Sequence, residues 1–190
     1  WYYNIIGNKR CPIVDTWWQT ETGACLISNL AGVTPAIPSW ATLPMPGVQP
    51  VLVDENGKEV TEKDEHGLLK GNLCIKAPWP GIIRTTYGDH ERCRTNYFAT
   101  YPDLYFTGDG ALKDENGNYR ITGRVDDVLN VSGHRIGTAE VENAINMHAG
   151  VVESAVVGYP HNLKGQGIYA YVIFGHMHGD EESTRKDILQ

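Results

Sequence analysis

The sequence predicts an α+β fold built mostly from antiparallel strands. Two segments, "PVLVDENGKEV" from Pro50 and "ALKDENGNYRITG" from Ala111, each place Asn-Gly between apolar or aromatic flanks. This arrangement is the strongest short-range signal for a β-hairpin. Farther along, "TAEVENAINMH" places Val141, Ala144 and Ile145 on one helical face, which predicts an amphipathic helix.

The remaining elements follow in chain order. The opening "WYYNIIGNKR" is typical of the end of a helix closed by Gly7. The region from about residue 48 to 123 is expected to form mostly antiparallel strands. After Arg124, "DVLNVSGHRIG" predicts short strands around a glycine turn, and Thr138 is a candidate N-cap for the helix. The apolar "VVESAVVGY" and "GIYAYVIF" are two further predicted strands.

This pattern predicts two domains. Residues 1–125 are expected to be the last part of a large domain, and residues 126–190 the start of a small α+β domain. Both chain ends interrupt an expected helix, so we expect the 190 residues to be a piece of a longer protein.

Net charge, apolar runs and cysteine spacing indicate which classes of partner and which compartment to expect. The formal net charge of −7 argues against a broad surface for tracking nucleic-acid phosphates, so no nucleic acid is expected as a partner. No apolar run approaches the ~18 residues of a membrane span, so no membrane partner is expected. The four cysteines (Cys11, Cys25, Cys74 and Cys93) are far apart and show no metal-like spacing, which indicates reduced thiols in a cytoplasmic protein.

Four stretches carry possible chemistry: "VDTWWQTETG" from Val14, "YFTGDG" from Tyr105, "ITGRVDD" from Ile121 and "NVSGHRIGTAEVE" from Asn130. In the first, two adjacent tryptophans lie among hydroxyl, carboxyl and amide side chains, a mixture that neither an amphipathic helix nor a half-buried strand requires. Taken alone, the others are modest signals. A Gly-Asp pair is most often a turn, and a single arginine is by default a solvated charge paired with a nearby aspartate.

Together, in this order and spacing, the stretches resemble the AMP-forming acyl-CoA synthetases of the adenylate-forming superfamily, in particular the members that activate acetate. The resemblance covers nearly the whole chain, including "GVQPVLVD", "WPG", "GDHERCRTNYF" and "GYPHNLKGQGIYAYV". It implies that the chain is the end of the large adenylate-forming domain, with a mostly antiparallel β subdomain, followed by the incomplete start of the mobile C-terminal α+β domain.

The resemblance also implies a reaction. Acetate attacks the α-phosphorus of ATP, pyrophosphate leaves, and the thiol of coenzyme A attacks the resulting acetyl-adenylate. The expected partners are therefore acetate, ATP and coenzyme A, with Mg²⁺ as cofactor. Two alternatives stay open: a propionyl-CoA synthetase, and, from a different class, a non-catalytic nucleotide-binding module.

The family motifs assign roles by position. Besides binding the nucleotide, Trp18 would form a wall of the acyl pocket, because a rigid indole leaves room for little more than an acetyl methyl. Asp109 would accept hydrogen bonds from the ribose hydroxyls. The residues implied to bind ATP or AMP are Asp15, Thr16, Trp17, Trp18, Gln19, Thr20, Asp109, Arg124 and Arg135.

Other positions match further parts of the family's machinery. Ser132 and Gly133 match the coenzyme A contact, and Asp126 matches the hinge before the mobile domain. Glu21 would lie near the magnesium that binds the phosphates. A structural magnesium would be held by Asn146, His148 and Val151, although a plain helix-terminal role for the histidine is an equal alternative.

The resemblance places the family's phosphate-binding loop before Trp1 and its adenylation lysine after Gln190. No catalytic residue is therefore expected within these 190 residues, and we expect them to be inactive on their own.

Overall fold

A computed structural model describes residues 1–132, 134–175 and 185–186, apart from the side chains of Asn130, His134 and Arg135. It divides into two compact units, Trp1–Ile121 and Thr122–Gln190. Antiparallel sheets dominate and helices are few, which confirms the predicted α+β class. The domain boundary between residues 125 and 126 refers to the family's domains and stays a prediction.

The first unit contains two sheets. A two-stranded sheet pairs β1 (Thr16–Trp17) with β2 (Ile27–Ser28). A four-stranded sheet has the order β3-β4-β5-β6. Its strands are β3 (Pro50–Val53), β4 (Leu69–Ile75), β5 (Tyr105–Lys113) and β6 (Tyr119–Arg124), the last of which runs three residues past Ile121.

Apolar side chains are buried on both faces of the four-stranded sheet. Because neighbouring side chains of a strand point to opposite faces, Leu52 joins the main core while Val51 joins a second cluster with Cys74 and Tyr101. The two clusters fix the register of the central strands, since a one-residue slip would exchange them. The main core consists of Trp17, Leu26, Ile27, Ala41, Leu52, Leu73, Ile75, Trp79, Tyr105, Ala111 and Tyr119.

One of the two predicted hairpins is confirmed. Strands β5 and β6 are neighbours joined by a turn in which Gly117 has φ +85°, a conformation that favours glycine. The prediction at Pro50 is confirmed for the turn but not for an extended pairing of two strands across it. The turn after β3 returns the chain only far enough for a single bridge between Val53 and Glu59. Strand β3 pairs instead with β4, whose apolar residues complete the core.

The predicted run of strands contains a helix that the pattern did not indicate. Helix α1 (His90–Phe98) begins after Asp89, whose side chain accepts a hydrogen bond from the Arg92 amide at 3.0 Å. Only Cys93 is fully buried along it. Its sequence carries little amphipathic signal, so packing against β5 and this cap stabilise it instead.

Of two predictions about helix ends, the one that Gly7 closes the opening helix is confirmed and the one that Thr138 is an N-cap is wrong. The opening segment forms a single π-helical turn, Tyr2–Ile6, closed by a hydrogen bond from the Gly7 amide to the Tyr2 carbonyl. Thr138 is the first residue of the second helix, and Gly137 takes the N-cap position without a side-chain cap. Gly137 has the extended backbone that a cap requires, and it ends the preceding strand.

Within residues 122–132 and 134–175, the second unit is a four-stranded antiparallel sheet with one helix. The sheet has the order β8-β7-β10-β9, and the helix packs on it through Ile145 against Leu129 and Val156. The predicted short strands, helix and two long strands are all present. They are β7 (Val128–Val131), β8 (His134–Gly137), α2 (Thr138–Asn146), β9 (Val151–His161) and β10 (Gly165–Phe174). Within the described ranges, no helix is long and apolar enough to cross a membrane.

The β5–β6 turn depends on the carboxylate of Asp114. It accepts hydrogen bonds from the Asn116 amide and from the amide and side chain of Asn118. Burial works to raise the pKa of Asp114, but the hydrogen bonds from Asn118 and Asn116 outweigh burial and lower it below the ordinary 3.8. A lowered pKa means that Asp114 stabilises the fold above its ordinary pKa and that this contribution is lost as the pH falls through the lower folded value.

We therefore predict that Asp114→Ala lowers the free energy of unfolding at neutral pH by about 1 kcal/mol, a value that allows for solvent screening. The difference from the unsubstituted protein should shrink as the pH falls below about 4. Urea denaturation across a pH series measures it, with the exposed neighbour Glu115→Ala as control. An undiminished difference at about pH 2 would contradict this account.

Candidate functional site

The centre of the site is the carboxylate of Asp109, on β5, whose residue is only 7% exposed. Its Oδ2 accepts a hydrogen bond from the indole Nε1 of Trp17 at 3.0 Å and one from Nε2 of Gln19 at 3.1 Å. Its own amide donates to the hydroxyl of Thr107 at 3.0 Å. Two of the sequence stretches therefore meet at one buried charge.

The side-chain amide of Gln19 is held at three points. Its Nε2 donates to the Thr107 carbonyl at 2.7 Å as well as to Asp109, and its Oε1 accepts from the hydroxyl of Tyr105 at 2.9 Å. A glutamine amide has two N–H donors, so both are used inside the protein. Gln19 was predicted to contact the nucleotide, and in this arrangement its amide orients Asp109.

A tight turn follows Gln19. One turn of 3₁₀ helix spans Thr20–Thr22, and the buried hydroxyl of Thr22 accepts from the Gln19 amide at 3.0 Å. The indole of Trp79 donates to the Thr22 carbonyl at 2.7 Å. Gly23 has φ +65°, and a Cβ there would lie 2.6 Å from the Gly81 carbonyl oxygen. Only glycine lets "TETG" lie against the "WPG" loop this closely.

The two adjacent tryptophans face different surroundings. Trp17 is 7% exposed and belongs to the core, whereas Trp18 is 60% exposed. Successive side chains of an extended segment point in opposite directions, which explains the contrast. Trp18 lines a surface pocket of about 470 Å³. The pocket is lined by Thr16, Trp18, Gln19, Thr20, Gly23, Ala24 and Cys25.

In the turn that follows Gln19, the side chain of Glu21 is hydrogen-bonded to a residue of α1. Its Oε1 accepts a hydrogen bond of 2.6 Å from the hydroxyl of Tyr97. The Tyr97 ring stacks on Tyr105, with centroids 5.7 Å apart and planes 12° from parallel. Burial, and then the charge of Glu21, raise the pKa of Tyr105, so its hydroxyl remains a donor near neutral pH.

No role was predicted for Tyr97 or Tyr105. Both lie in stretches that carry the family resemblance, "RTNYF" and "YFTGDG", and that position is the only signal that could have singled them out.

Of the other predicted nucleotide-binding residues in this unit, Asp15, Thr16 and Thr20 are exposed. Asp15 is anchored through its backbone, since its amide donates to Oδ1 of Asn29 at 2.9 Å and its carbonyl accepts from the hydroxyl of Ser28 at 2.9 Å. The side chain of Asp15 is thereby left at the surface.

The remaining predicted residues belong to the second unit. Arg124 donates from Nε to Oδ1 of Asp126 at 3.1 Å, which is the ordinary charge pairing expected of a lone arginine. Ser132 has φ +53°, and its amide donates to the Lys164 carbonyl at 2.9 Å. Gly133 and the side chain of Arg135 lie outside the described residues.

At the end of α2, the ring of His148 accepts a hydrogen bond at Nδ1 from the Gly150 amide, at 3.1 Å. The His148 carbonyl accepts from the Val151 amide at 3.0 Å, and Oδ1 of Asn146 accepts from the hydroxyl of Ser154 at 2.9 Å. These contacts fit a helix-terminal role for His148. In the part of the chain that the structure describes, no three His, Cys, Asp or Glu side chains group to hold a metal. The magnesium ligands stay predictions.

Comparison with known proteins decides the family. Residues 140–190 match the family model described as "AMP-binding enzyme C-terminal domain". The chain is 60% identical over 189 residues to the acetyl-coenzyme A synthetase of Methylorubrum extorquens strain PA1, covering 100% of this chain and 28% of that protein. The chain belongs to the acetyl-coenzyme A synthetase family of AMP-binding enzymes.

A further relative agrees with this assignment to the acetyl-coenzyme A synthetase family. The enzyme of that name from Alkalilimnicola ehrlichii is 63% identical over 172 residues, covering 90% of this chain and 26% of its own. A solved structure titled "Structure of ATP bound RpMatB-BxBclM chimera B3" matches with a TM-score of 0.77 and 28% identity. It covers 93% of this chain and 33% of the chimera. The chain therefore spans just over a quarter of the length of the curated relatives that it matches.

We predict that Trp17→Phe in the full-length acetyl-coenzyme A synthetase homologue weakens AMP binding roughly tenfold. The substitution keeps an aromatic ring in the core but removes the indole N–H that holds Oδ2 of Asp109, a hydrogen bond to a charged group. Calorimetric titration with AMP measures the change. Trp40→Phe, at a half-buried tryptophan outside the pocket, is the matched control. Equal affinities for the two variants would count against the role of Trp17.

Proposed function

We propose that the full-length protein is an AMP-forming acetate–CoA ligase, which converts acetate, ATP and coenzyme A to acetyl-CoA, AMP and pyrophosphate through an acetyl-adenylate. The observation that carries the proposal is the buried Asp109 carboxylate, held by Trp17 and Gln19 beside an open pocket. The names of relatives about 60% identical over the whole chain support it.

The chemistry of the first step requires a fixed nucleotide. A carboxylate such as acetate is a poor electrophile until it is adenylated, so the ligase must hold the α-phosphorus of ATP against it. In this proposal Asp109 accepts hydrogen bonds from the ribose hydroxyls. An ionised carboxylate can accept about four hydrogen bonds, and Trp17 and Gln19 supply two of them to Oδ2. These two donors fix the plane of the acceptor before the nucleotide arrives.

Acid selection is assigned to Trp18. Its indole lines the pocket next to the Asp109 network and is largely exposed there. A rigid aromatic wall excludes longer acids by size, whereas favourable contact with one more methylene would discriminate by only ~1–3 kcal/mol. A propionyl-CoA synthetase is the rival within this class, and a nucleotide-binding module without catalysis is the rival outside it.

Glu21 fits a role toward Mg²⁺. Magnesium prefers oxygen ligands and is usually held by one or two carboxylates together with substrate phosphates, and a single glutamate such as Glu21 can supply such a carboxylate. When bound, the ion would neutralise the charge that develops on the phosphates. For the second proposed magnesium, at Asn146, His148 and Val151, the donor set is less suitable because histidine is an unusual magnesium ligand.

The second unit carries the residues proposed for the later step, in which the thiol of coenzyme A attacks the acetyl-adenylate. Ser132 and Gly133 are proposed to contact coenzyme A, where a small residue lets the pantetheine arm pass close to the backbone. Arg124 and Arg135 are proposed to contact the ribose and phosphate side of the nucleotide. Asp126 is the proposed hinge of a domain rotation between the two half-reactions.

The cytoplasm is the proposed location. All four cysteines are free thiols in the structure, and two of them, Cys74 and Cys93, are buried. Free thiols are typical of a reducing compartment. Burial raises the pKa of Cys74 to about 12, which keeps this thiol protonated and unreactive.

The purified full-length protein should catalyse acetate-dependent exchange of pyrophosphate into ATP and should form acetyl-CoA. Asp109→Ala should reduce the exchange about 100-fold or more, because a buried ribose would lose a charged acceptor. Radiolabel exchange and a coupled acetyl-CoA assay measure the two activities. The exposed Glu62→Ala is the control. A protein that binds AMP but shows no exchange with any short acid would be the non-catalytic module.

Chain-length preference tests the pocket. Trp18→Gly in the full-length enzyme should admit four- and five-carbon acids and lower kcat/KM for acetate, since the wall of the pocket is removed. Measuring kcat/KM across acids of two to five carbons decides the point. The unsubstituted enzyme should prefer acetate, and a preference for propionate would favour the rival. An unchanged profile in Trp18→Gly would refute the role of Trp18.

A further inference from the structure

We propose that Tyr97 is a positioning residue for Glu21, acting through its hydroxyl on the phosphate side of the site. The inference rests on the proposed function, since it assumes that Glu21 acts in adenylation. The Tyr97 hydroxyl donates to Oε1 of Glu21 at 2.6 Å. This lies in the 2.5–2.7 Å range of O–H···O⁻ bonds, which are stronger than neutral ones. The two residues are 76 positions apart, so the contact exists only in the folded chain.

The Tyr97 hydroxyl is held in place by rigid surroundings. Tyr97 lies in the last turn of α1, a helix anchored by the Asp89 cap and by the buried Cys93. Its ring stacks on Tyr105, and Tyr105 in turn packs edge-on against Trp79 with centroids 5.2 Å apart. A hydroxyl at the end of a packed aromatic ring has little freedom to move.

The backbone of Glu21 is fixed as well. It lies in the 3₁₀ turn, and its carbonyl accepts a hydrogen bond of 2.9 Å from the Ile83 amide. A glutamate side chain nevertheless keeps several rotatable bonds, and ordering them costs entropy. The hydrogen bond from Tyr97 removes that freedom before a ligand binds, so the carboxylate meets its cationic partner already oriented.

The stacked tyrosines connect this contact to the Asp109 network. Tyr105 holds the Gln19 amide that orients Asp109, while Tyr97 holds Glu21. The ring pair thus sets the spacing between the proposed ribose acceptor and the proposed phosphate-side carboxylate. A change that keeps both rings but removes one hydroxyl should affect the contact of that hydroxyl, with Glu21 or with Gln19, and spare the other contact.

Tyr97→Phe in the full-length protein tests the inference, because phenylalanine keeps the ring stack and removes only the hydroxyl. We expect acetate-dependent pyrophosphate exchange to fall about tenfold, the loss of one hydrogen bond to a charged group. Thioester formation from supplied acetyl-adenylate should be unchanged. In calorimetric titrations with ATP, the Mg²⁺ concentration needed for half-maximal affinity should rise, while the thermal midpoint should match that of the unsubstituted protein.

The matched control is Tyr101→Phe. Tyr101 also loses a hydroxyl that bonds a side chain, Nδ2 of Asn72 at 2.7 Å, but it lies in the separate cluster on the other face of the sheet. In Tyr101→Phe, the rates of both half-reactions and the Mg²⁺ dependence of ATP binding should equal those of the unsubstituted protein. If Tyr97→Phe lowers the thermal midpoint and both half-reactions together, its role is structural and the inference is overturned.

Glu21→Gln separates the inference from the proposed function. If Glu21→Gln impairs exchange and the double variant with Tyr97→Phe is no worse, the two residues act as one unit, as proposed. If Glu21→Gln impairs exchange and Tyr97→Phe does not, the positioning role is overturned while the role of Glu21 in the proposed function stands. If Glu21→Gln leaves exchange intact, that role of Glu21 is refuted, and the inference is overturned with it.

Discussion

The buried carboxylate of Asp109 is the constraint on which the rest of the site depends. A charge removed from water costs several kcal/mol unless hydrogen bonds replace its solvation. Trp17 and Gln19 supply that replacement, and they do so from a segment about 90 residues earlier in the chain. Strand β5 and the "TWWQTETG" turn are therefore joined through the hydrogen bonds that solvate this carboxylate.

This requirement explains the composition of the turn. The indole of Trp17 serves both as core volume and as a donor to Asp109, which an aliphatic side chain could not do. The next residue, Trp18, is turned outward and is available to the pocket. Among the polar residues between the aromatic rings and the glycine, the backbone of Gln19 and the hydroxyl of Thr22 bond in both directions. The two adjacent tryptophans thus have different roles in one turn: Trp17 packs in the core and bonds Asp109, and Trp18 lines the pocket.

Much of the architecture could be predicted because it is local. The β5–β6 hairpin depends on Asp114 and Gly117, which are neighbours in sequence, and α2 depends on apolar spacing within nine residues. The long strands β9 and β10 carry their own apolar signal. The candidate site residues came from the family resemblance that the order of the motifs carries, and their roles stay predictions. In all these cases, the information lies within one short window of chain or in a pattern matched to a family.

Tertiary structure decided what depends on distant partners. Strand β3 pairs along its whole length with β4 and only at one bridge with the residues after its own turn, because the shared core outweighs the local hairpin signal. Helix α1 has little amphipathic pattern and is stabilised by packing. The bonds from Trp17 to Asp109 and from Tyr97 to Glu21 join residues 92 and 76 positions apart. Sequence alone identifies the residue types in these pairs, but only folding brings them within hydrogen-bonding distance, because the partner of a buried polar group is chosen by the whole chain's packing.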